Sequence, residues 1–377
     1  MRIGIDGLPL TELLTGIGHY TLELAQHLAS NSDTDSVQVV SPRSFVASLQ
    51  LQTQATRNLQ FVRARVGPIS RRWWSIGLPR YVRRHGIELF HGTNFEVPLG
   101  KVCPTVLTIH DLSMLLHPQT QEKRLVRRAQ RRFRTMARAA TMIVTPTQTV
   151  RDEIHEHLQI PLDRIVVVSE AARRCFRPLE LTQTAAVRTR FGIRDEFLLF
   201  VGTVEPRKNL NTLLKAFEHV IQTRGRPVQL VITGRKGWLV DDLLHSLKRS
   251  PAAKQLTLTG YLSDEDLSAL YSACSAFVYP SIYEGFGLPP LEAMACGAPV
   301  IASRIPSIEE VTGSAARLVD PESAPDLARA ITDVLESETT KAGMSSAGIA
   351  RAKEFSWSQA ADLTRQVYGD AIQRFYR

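Results

Sequence analysis

The sequence predicts two doubly wound α/β domains side by side, and two observations carry that prediction. Both halves of the chain alternate short β-rich runs with helical patterns, as parallel sheets with crossover helices do. The chain has 377 residues, 44% of them apolar, which at roughly 100–200 residues per domain is enough for two separate cores.

The first series opens with the strand pattern Arg2-Ile3-Gly4-Ile5-Asp6, then a glycine-containing loop that becomes helical from about Gly18. Strand candidates follow at 36–41, 59–64, 87–92, 105–111 and 140–146, with helical stretches among them. A second series starts at 196–203 and continues through 228–234, 256–262, 276–281, 299–303 and 316–320. Helical patterns lie between these strands, for example at 209–222 and 264–273. The segment 169–180, ending just beyond Pro178, reads as the linker. The predicted organisation is therefore a first domain over 1–176, a second over 177–358, and a C-terminal helix over 359–377 packing back on the first.

Composition narrows the class. No stretch approaches the roughly 18 apolar residues of a membrane span, and the N-terminus runs straight into a strand without a signal peptide's apolar core. A cytoplasmic location is expected. Cys103, Cys175, Cys274 and Cys296 are scattered, without a CxxC pair or a metal-like spacing, and read as buried free thiols. The net charge of +9 is unevenly placed: residues 1–177 hold 24 Lys+Arg against 14 Asp+Glu, whereas residues 178–377 hold 22 against 23. All the excess lies in the first half, which points to a polyanionic partner. No nucleic-acid recognition motif accompanies it, so no nucleic-acid partner is expected and an anionic membrane surface is the reading kept.

Ligands of doubly wound sheets bind beyond the carboxyl ends of the strands, so with two sheets facing each other a cleft between domains is the expected site. Four loops then matter, the second with a further polar loop nearby. Leu14-Thr15-Gly16-Ile17-Gly18 joins a strand to a helix start, where glycines and free amides suit a phosphate or simply make a turn. Thr108-Ile109-His110-Asp111 ends a strand in a histidine that either serves a sugar hydroxyl or bonds within the fold. His91-Gly92-Thr93-Asn94 is a second polar loop nearby. Gly202 to Asn209 carries Arg207-Lys208, a pair suited to a diphosphate: Arg binds bidentately and Lys acts as a point charge. The fourth loop, 281–297, sets Glu284 and Glu292 around a glycine-rich turn and a helix from about Pro290. Its amides at Phe286, Gly287 and Leu288 would face an anion, and its carboxylates can accept from vicinal hydroxyls or act as acid and base.

These residues bring a family into view. VGTVEPRKNLNTLLKAF (201–217), followed by YPSIYEGFGLPPLEAMACGAPVIAS (279–303), strongly resembles the retaining glycosyltransferases of family 4. The C-terminal half matches almost throughout, including GYLSDEDLSALY and the late FSW; the N-terminal half matches more loosely, through TGIGHY, HGTNFEVP and TIHDL. The resemblance implies the GT-B architecture, two facing Rossmann-like domains with an interdomain cleft. It implies that Gly16 and Ile17 offer amides to the diphosphate and sugar, and that His110 contacts the transferred sugar. Arg207 and Lys208 would neutralise the leaving diphosphate. Glu284 would bind hexose hydroxyls beside the amides of Phe286, Gly287 and Leu288. Glu292 would hold the ribose, with the base near Gly260 and Tyr261. The EPRKN form is similar to that of bacterial mannosyltransferases building surface polysaccharides, which favours GDP-mannose over UDP-hexoses as donor.

Two departures stand out: many members carry Arg where this chain has Thr203, and the usual Asn- or Gly-rich stretch after the last N-terminal strand is here SEAARRCF.

The chemistry that follows is glycosyl transfer without a metal or other cofactor. Charge develops on the leaving diphosphate, where the Arg-Lys pair and helix starts would stabilise it. The family implies front-side attack, with the leaving phosphate deprotonating the acceptor hydroxyl. Asp33-Thr34-Asp35 and Asp264-Glu265-Asp266 read as solvated helix caps rather than a metal-binding DxD. The rival readings are a nucleotide-sugar epimerase or another enzyme of the same architecture; the proton-transfer set an epimerase needs is not identifiable here. Partners are thus a nucleotide-sugar donor, a saccharide or lipid-linked acceptor, and an anionic membrane surface. For the last, helical spacing over Glu122–Arg138 gathers seven arginines, including Arg127, Arg128, Arg131 and Arg132, on one side, with Leu125, Ala129, Phe133, Met136 and Ala140 opposite. A second stretch, Arg71-Arg72-Trp73-Trp74 through Arg84, interleaves cations with aromatics.

Overall fold

The computed structural model describes residues 1–30, 35–46, 58–65, 72–194 and 196–377, with the side chains of Leu125, Arg128 and Leu181 outside that description. Asp33, Thr34 and Arg71, singled out in the sequence, also lie outside the described residues. The chain forms two compact units: Met1–Leu112, Arg127–Glu170 and Ser356–Arg377 in the first, Ser113–Val126 and Ala171–Phe355 in the second.

The first unit is built on a seven-stranded parallel sheet of β1 (Arg2–Asp6), β2 (Ser36–Ser41), β3 (Leu59–Arg63), β4 (Leu89–Gly92), β5 (Thr105–Thr108), β6 (Met142–Thr145) and β7 (Ile165–Val167), in the order β3-β2-β1-β4-β5-β6-β7. Every residue of β4, β5 and β6 is buried, as expected of strands covered on both faces. That is why they read as apolar runs without alternation. β7 is the strand absent from the sequence reading: it is three residues long, at the sheet edge, with one buried side chain, so it leaves almost no hydrophobic signature.

Helices of the first half are α1 (Gly16–Ser30), α2 (Leu78–His85), α3 (Ser113–Leu116), α4 (Lys123–Ala139) and α5 (Gln148–Leu158). α1 starts at Gly16, two residues before the position the pattern indicated.

The second unit repeats the winding. Its six-stranded parallel sheet comprises β8 (Glu196–Val201), β9 (Val228–Thr233), β10 (Leu256–Gly260), β11 (Ala276–Tyr279), β12 (Val300–Ser303) and β13 (Ala316–Val319), in the order β10-β9-β8-β11-β12-β13. The helices are α6 (Leu181–Arg190), α7 (Leu210–Thr223), α8 (Asp241–Arg249), α9 (Asp264–Ala273), α10 (Leu288–Ala295), α11 (Pro306–Thr312), α12 (Ala324–Glu336) and α13 (Glu338–Ala352). α7 packs on α12 and α10 on α13, burying Leu213, Phe217, Ile331 and Met294 with Phe197, Leu199 and Phe277 of the sheet. In both units the strand order reverses next to the first strand, between β1 and β4 and between β8 and β11. Those are the switch points at which such folds place ligands.

The last helix, α14 (Trp357–Tyr376), belongs to the first unit, packed on α1, β5 and β6. Ser356 caps it by accepting from the Gln359 amide, satisfying one of the free N-terminal donors. Trp357, Ala360, Ala361, Thr364, Val367, Tyr368 and Ala371 form its buried stripe at the spacing of one helix face. Each large apolar side chain so buried stabilises by roughly 1.5–3 kcal/mol. Polar contacts from two of its residues fix its position: Tyr368 Oη lies 2.8 Å from His91 Nδ1, and Arg365 bonds to Asp35 at 3.2 Å and to the Leu28 carbonyl at 2.8 Å.

One cysteine departs from expectation. Cys103, Cys274 and Cys296 are buried but Cys175 is exposed, on irregular backbone between the buried Arg173 and Phe176.

Candidate functional site

The second unit gathers most of the predicted site at its switch point. The loop after β8 turns through a short 3-10 helix, Pro206–Lys208, and ends at Asn209 with φ 58°, a left-handed conformation that asparagine tolerates better than most residues. The Asn209 amide donates to the carbonyls of Pro280 (3.0 Å) and Pro321 (2.8 Å), tying this loop to the loop that leaves β11. Arg207 and Lys208 are thereby held against Glu284.

The sequence assigned the two cations to a diphosphate and Glu284 to a hexose; in the structure both cations bind Glu284. Lys208 Nζ donates to Glu284 Oε1 and to Tyr279 Oη, both at 2.6 Å, and the Tyr279 hydroxyl donates to Glu284 Oε1 at 2.9 Å. Arg207 Nη1 donates to Glu284 Oε2 and to the Tyr283 carbonyl, both at 2.8 Å, while Nη2 reaches Glu205 Oε1 at 2.7 Å. Burial alone would raise the Glu284 carboxyl, but Arg207 and Lys208 outweigh it and hold it down at about 2. Burial pulls Lys208 below the usual ammonium value. The result is two cations and two carboxylates in a dry setting, mutually neutral. An incoming anion can exchange with Glu284 as counter-ion, and charge interactions there are much stronger than in water.

Beside this cluster α10 begins. Gly287 has φ 102°, a left-handed conformation that glycine adopts without strain, and a Cβ there would also push the end of the Ile308 side chain aside. Pro289 and Pro290 carry no N–H, which leaves the amides of Phe286, Gly287 and Leu288 at the positive end of the helix. The helix thus starts two residues before Pro290. Ser307 donates to the Glu284 carbonyl at 2.6 Å and fixes the turn.

Glu292, about one turn into α10, is buried and has two partners that the sequence did not reveal. Arg173 approaches its Oε1 at 3.5 Å and the Tyr271 hydroxyl donates to Oε2 at 3.4 Å. Arg173 also pairs with Asp264, so Asp264 is an ion-pair partner and not the solvated cap that was expected; Ser263 is the residue that caps α9. Burial raises the Glu292 carboxyl, and because Arg173 is shared with Asp264 it offsets only part of this, leaving Glu292 at about 7. Tyr261, exposed at the end of edge strand β10, feels the charges of Asp264, Arg173 and Glu292, and burial raises its hydroxyl. The residues assigned to ribose and base are therefore neighbours.

The switch point of the first unit is chemically different. Gly16 and Ile17 form the first turn of α1. His110, buried just beyond β5, places Nδ1 at 2.9 Å from Glu170 Oε1 and Nε2 at 2.9 Å from the Thr93 carbonyl. The Thr93 hydroxyl donates to the Asp6 carbonyl at 3.2 Å and accepts from Thr21 at 2.9 Å. His91 lies between the hydroxyls of Thr108 (2.7 Å) and Tyr368 (2.8 Å), and burial together with the His110 charge lowers it to about 3, so it is neutral. Asp6 Oδ1 accepts from the Leu8 amide at 3.1 Å, whereas Oδ2 has no hydrogen-bond partner among the described residues. Burial raises Asp6 to about 8.

The basic helix α4 is amphipathic as expected, with one correction. Val126, Phe133, Met136 and Ala137 are buried, while Arg124, Arg127, Arg131, Arg134 and Arg138 are exposed. Arg132, placed on the outward face in the sequence, is instead half-buried and ion-paired with Glu96. The Arg128 side chain lies outside the described residues. Among the described residues, no helix is long and apolar enough to cross a membrane, and no three His, Cys, Asp or Glu side chains gather as metal ligands would.

Comparison with known proteins identifies the family. Residues 185–351 match the family of glycosyl transferases group 1, and residues 14–171 match glycosyltransferase family 4. The chain is 32% identical over 382 residues to the O-antigen chain mannosyltransferase B of Escherichia coli, covering 98% of this chain and 99% of the relative. It is also 32% identical to the serotype-specific mannosyltransferase WbdA of Escherichia coli, there over 62% of this chain and 29% of the longer protein. Among solved structures, WaaG, a glycosyltransferase of lipopolysaccharide biosynthesis, has a TM-score of 0.77 at 14% identity, covering 97% of this chain and 99% of that one. Sucrose-phosphate synthase from Thermosynechococcus elongatus has a TM-score of 0.74 at 20% identity, with 98% of each chain covered. The fold is the GT-B architecture of two Rossmann-like units, and the chain belongs to the family 4 glycosyltransferases.

Proposed function

We propose, from that membership, that this chain is a retaining, metal-independent hexosyltransferase that moves mannose from GDP-mannose to a saccharide or lipid-linked acceptor in surface glycan synthesis. The observation that carries the proposal is the Arg207–Lys208–Glu284 cluster beside the start of α10. It is a pre-assembled set of cations whose counter-carboxylate an anion can displace. The mannosyltransferase B relative, matched over nearly its whole length, supports the choice of sugar.

In this reading Arg207, Lys208 and the amides of Phe286, Gly287 and Leu288 stabilise negative charge on the departing diphosphate. Preorganised donors at developing charge are the strongest single contribution to many enzymatic rates. Glu284, released from its cations, accepts from mannose hydroxyls, and Glu292 accepts from the ribose, with Tyr261 near the base. In the first unit Gly16 and Ile17 offer amides to the donor and His110 serves the transferred sugar. In this reading the leaving phosphate takes the acceptor proton, as the resemblance to the family implies.

The test is donor-only incubation. GDP-mannose should slowly release GDP, UDP-glucose and UDP-galactose should not, and a chelator should leave the rate unchanged. Release of UDP alone, or a rate abolished by chelator and restored by a divalent cation, would overturn the donor or the metal-free chemistry. Conversion of the sugar with the nucleotide intact would show an epimerase instead.

A second reading rests on the exposed arginines of α4: Arg127 and Arg131, with Arg128, attach the protein to an anionic membrane from the cytoplasmic side, where a lipid-linked acceptor is presented. Cations near such a surface contribute about 1 kcal/mol each. Co-sedimentation with phosphatidylglycerol vesicles should fade at high salt and drop when Arg127, Arg128 and Arg131 become Ser, whereas equal binding to neutral vesicles sinks the idea.

A further inference from the structure

We infer that Glu170 is a positioning residue that holds His110 protonated at both ring nitrogens, one N–H on Glu170 and the other on the Thr93 carbonyl, so that this histidine presents a positive charge and cannot serve as a general base. The catalytic use of His110 rests on the function proposed above; its protonation state does not.

The inference follows from what surrounds the ring. Nδ1 faces a carboxylate oxygen at 2.9 Å and Nε2 faces a backbone carbonyl at 2.9 Å. Neither partner has a proton to give when Glu170 is ionised, and a neutral imidazole supplies only one N–H. Satisfying both acceptors requires the imidazolium. Glu170 is 4% exposed and His110 9%, so water does not compete for either bond, and an unpaired acceptor in that setting would cost about 1–3 kcal/mol.

The other groups around the ring do not change this. Tyr20, on α1, meets it edge-on at 4.7 Å with its hydroxyl engaged by Thr108, and Phe95 lies at 6.2 Å. His91, on β4, is neutral, and Asp111, the next residue in the chain, adds a favourable charge. Burial opposes the charged ring, but the Glu170 hydrogen bond and charge, with the Thr93 carbonyl and Asp111, overcome it and raise His110 above its ordinary value.

Glu170 carries no cue in the sequence: it lies in SEAARRCF, 60 residues from His110, where the family's usual Asn- or Gly-rich stretch is replaced. The charge of one residue is thus set by a segment that carries none of the recognisable motifs.

The experiment uses the full chain with ring-labelled histidine, following the His110 signal (assigned through His110→Asn) by NMR titration in the wild type, Glu170→Gln and Glu170→Asp. Gln keeps an acceptor for Nδ1–H and a similar volume while removing the charge, so folding, checked by thermal melting, should survive. The expected result is a His110 midpoint at least one pH unit lower in Glu170→Gln and partly restored in Glu170→Asp. In parallel, the alkaline limb of GDP release from GDP-mannose should move to lower pH in Glu170→Gln by the same amount, with KM little changed. An unchanged His110 midpoint overturns the inference, and so does a shifted midpoint with an unshifted rate profile. Absence of GDP release from the wild type would defeat the proposed donor instead, and the NMR titration would still decide the state of the ring.

Discussion

The two sheets are wound in the same strand order, yet their switch points carry opposite chemistry. Between β8 and β11, Arg207, Lys208, Glu205 and Glu284 form a compensated ionic cluster. Between β1 and β4, with β5 alongside, the first unit holds a hydroxyl and carbonyl network around two histidines, with a single ion pair to Glu170. The difference teaches that winding decides where a ligand goes, whereas the side chains on a few loop positions decide what kind. The second unit keeps its cations occupied by a displaceable carboxylate, a state suited to exchanging anions. The first keeps nearly every polar atom satisfied internally, which favours fixed geometry over exchange. Asp6 Oδ2, with no partner among the described residues, is one departure from that rule; Trp73 Nε1, Thr145 Oγ1 and Trp357 Nε1 of the same unit are others.

The comparison can be broken most forcefully at the cations. Lys208→Ala and Arg207→Ala should each lower kcat for GDP release by about 100-fold or more, the usual cost of removing a charge-assisted donor from a developing anion. Circular dichroism should show both variants folded. Near-wild-type turnover in both would remove the diphosphate assignment.

The next effect separates the two glutamates by calorimetry with GDP. Glu292→Ala should weaken GDP binding about tenfold or more, through lost ribose contacts and the Arg173 charge left with one partner. Glu284→Gln should bind GDP at least as tightly as the wild type, since the competing counter-ion is gone, while transfer fails. The reverse order would mean that the two carboxylates have each other's roles.

Acid stability sharpens the contrast further. Glu284 sits at about 2 in the fold against 4.5 ordinarily. Its stabilisation is therefore present above pH 4.5 and lost as pH falls toward 2, an amount on the order of 3 kcal/mol. Melting temperatures of Glu284→Gln and wild type should differ most near neutrality and converge at acid pH; parallel curves would mean that the ion cluster is not what stabilises the ionised carboxyl.

Asp6 should give an effect of the opposite sign. Raised to about 8 from 3.8, it favours the fold at low pH and loses that contribution as pH rises through 8. Asp6→Asn keeps an acceptor for the Leu8 amide and cannot ionise, so its melting temperature should decline less than the wild type's between pH 6 and 9. An identical decline would place a proton-exchanging group elsewhere.

Much of the second unit's site was legible in the sequence because its parts are local. Arg207 and Lys208 are adjacent, Glu284 and the Gly287 turn share one loop, and the helix start follows from Pro289 and Pro290. Glu205 and Tyr279 stood within the quoted motifs, but nothing marked them as partners. In the first unit His110 was visible as a strand-end histidine, and its Glu170 partner was not.

What the sequence by itself determined is the alternation of strands and helices, hence two doubly wound units, and the loops at which ligands gather. Periodicity records which face of each element is buried, and turn residues record where the chain reverses; both are properties of neighbouring residues. What only the tertiary structure decided is which charges meet: His110 with Glu170 across 60 positions, Arg173 with Glu292 across 119, and His91 with Tyr368 across 277. Such pairs depend on strand order and on the docking of α14. Their energies come from burial and exact distance, neither of which any local pattern of residues encodes.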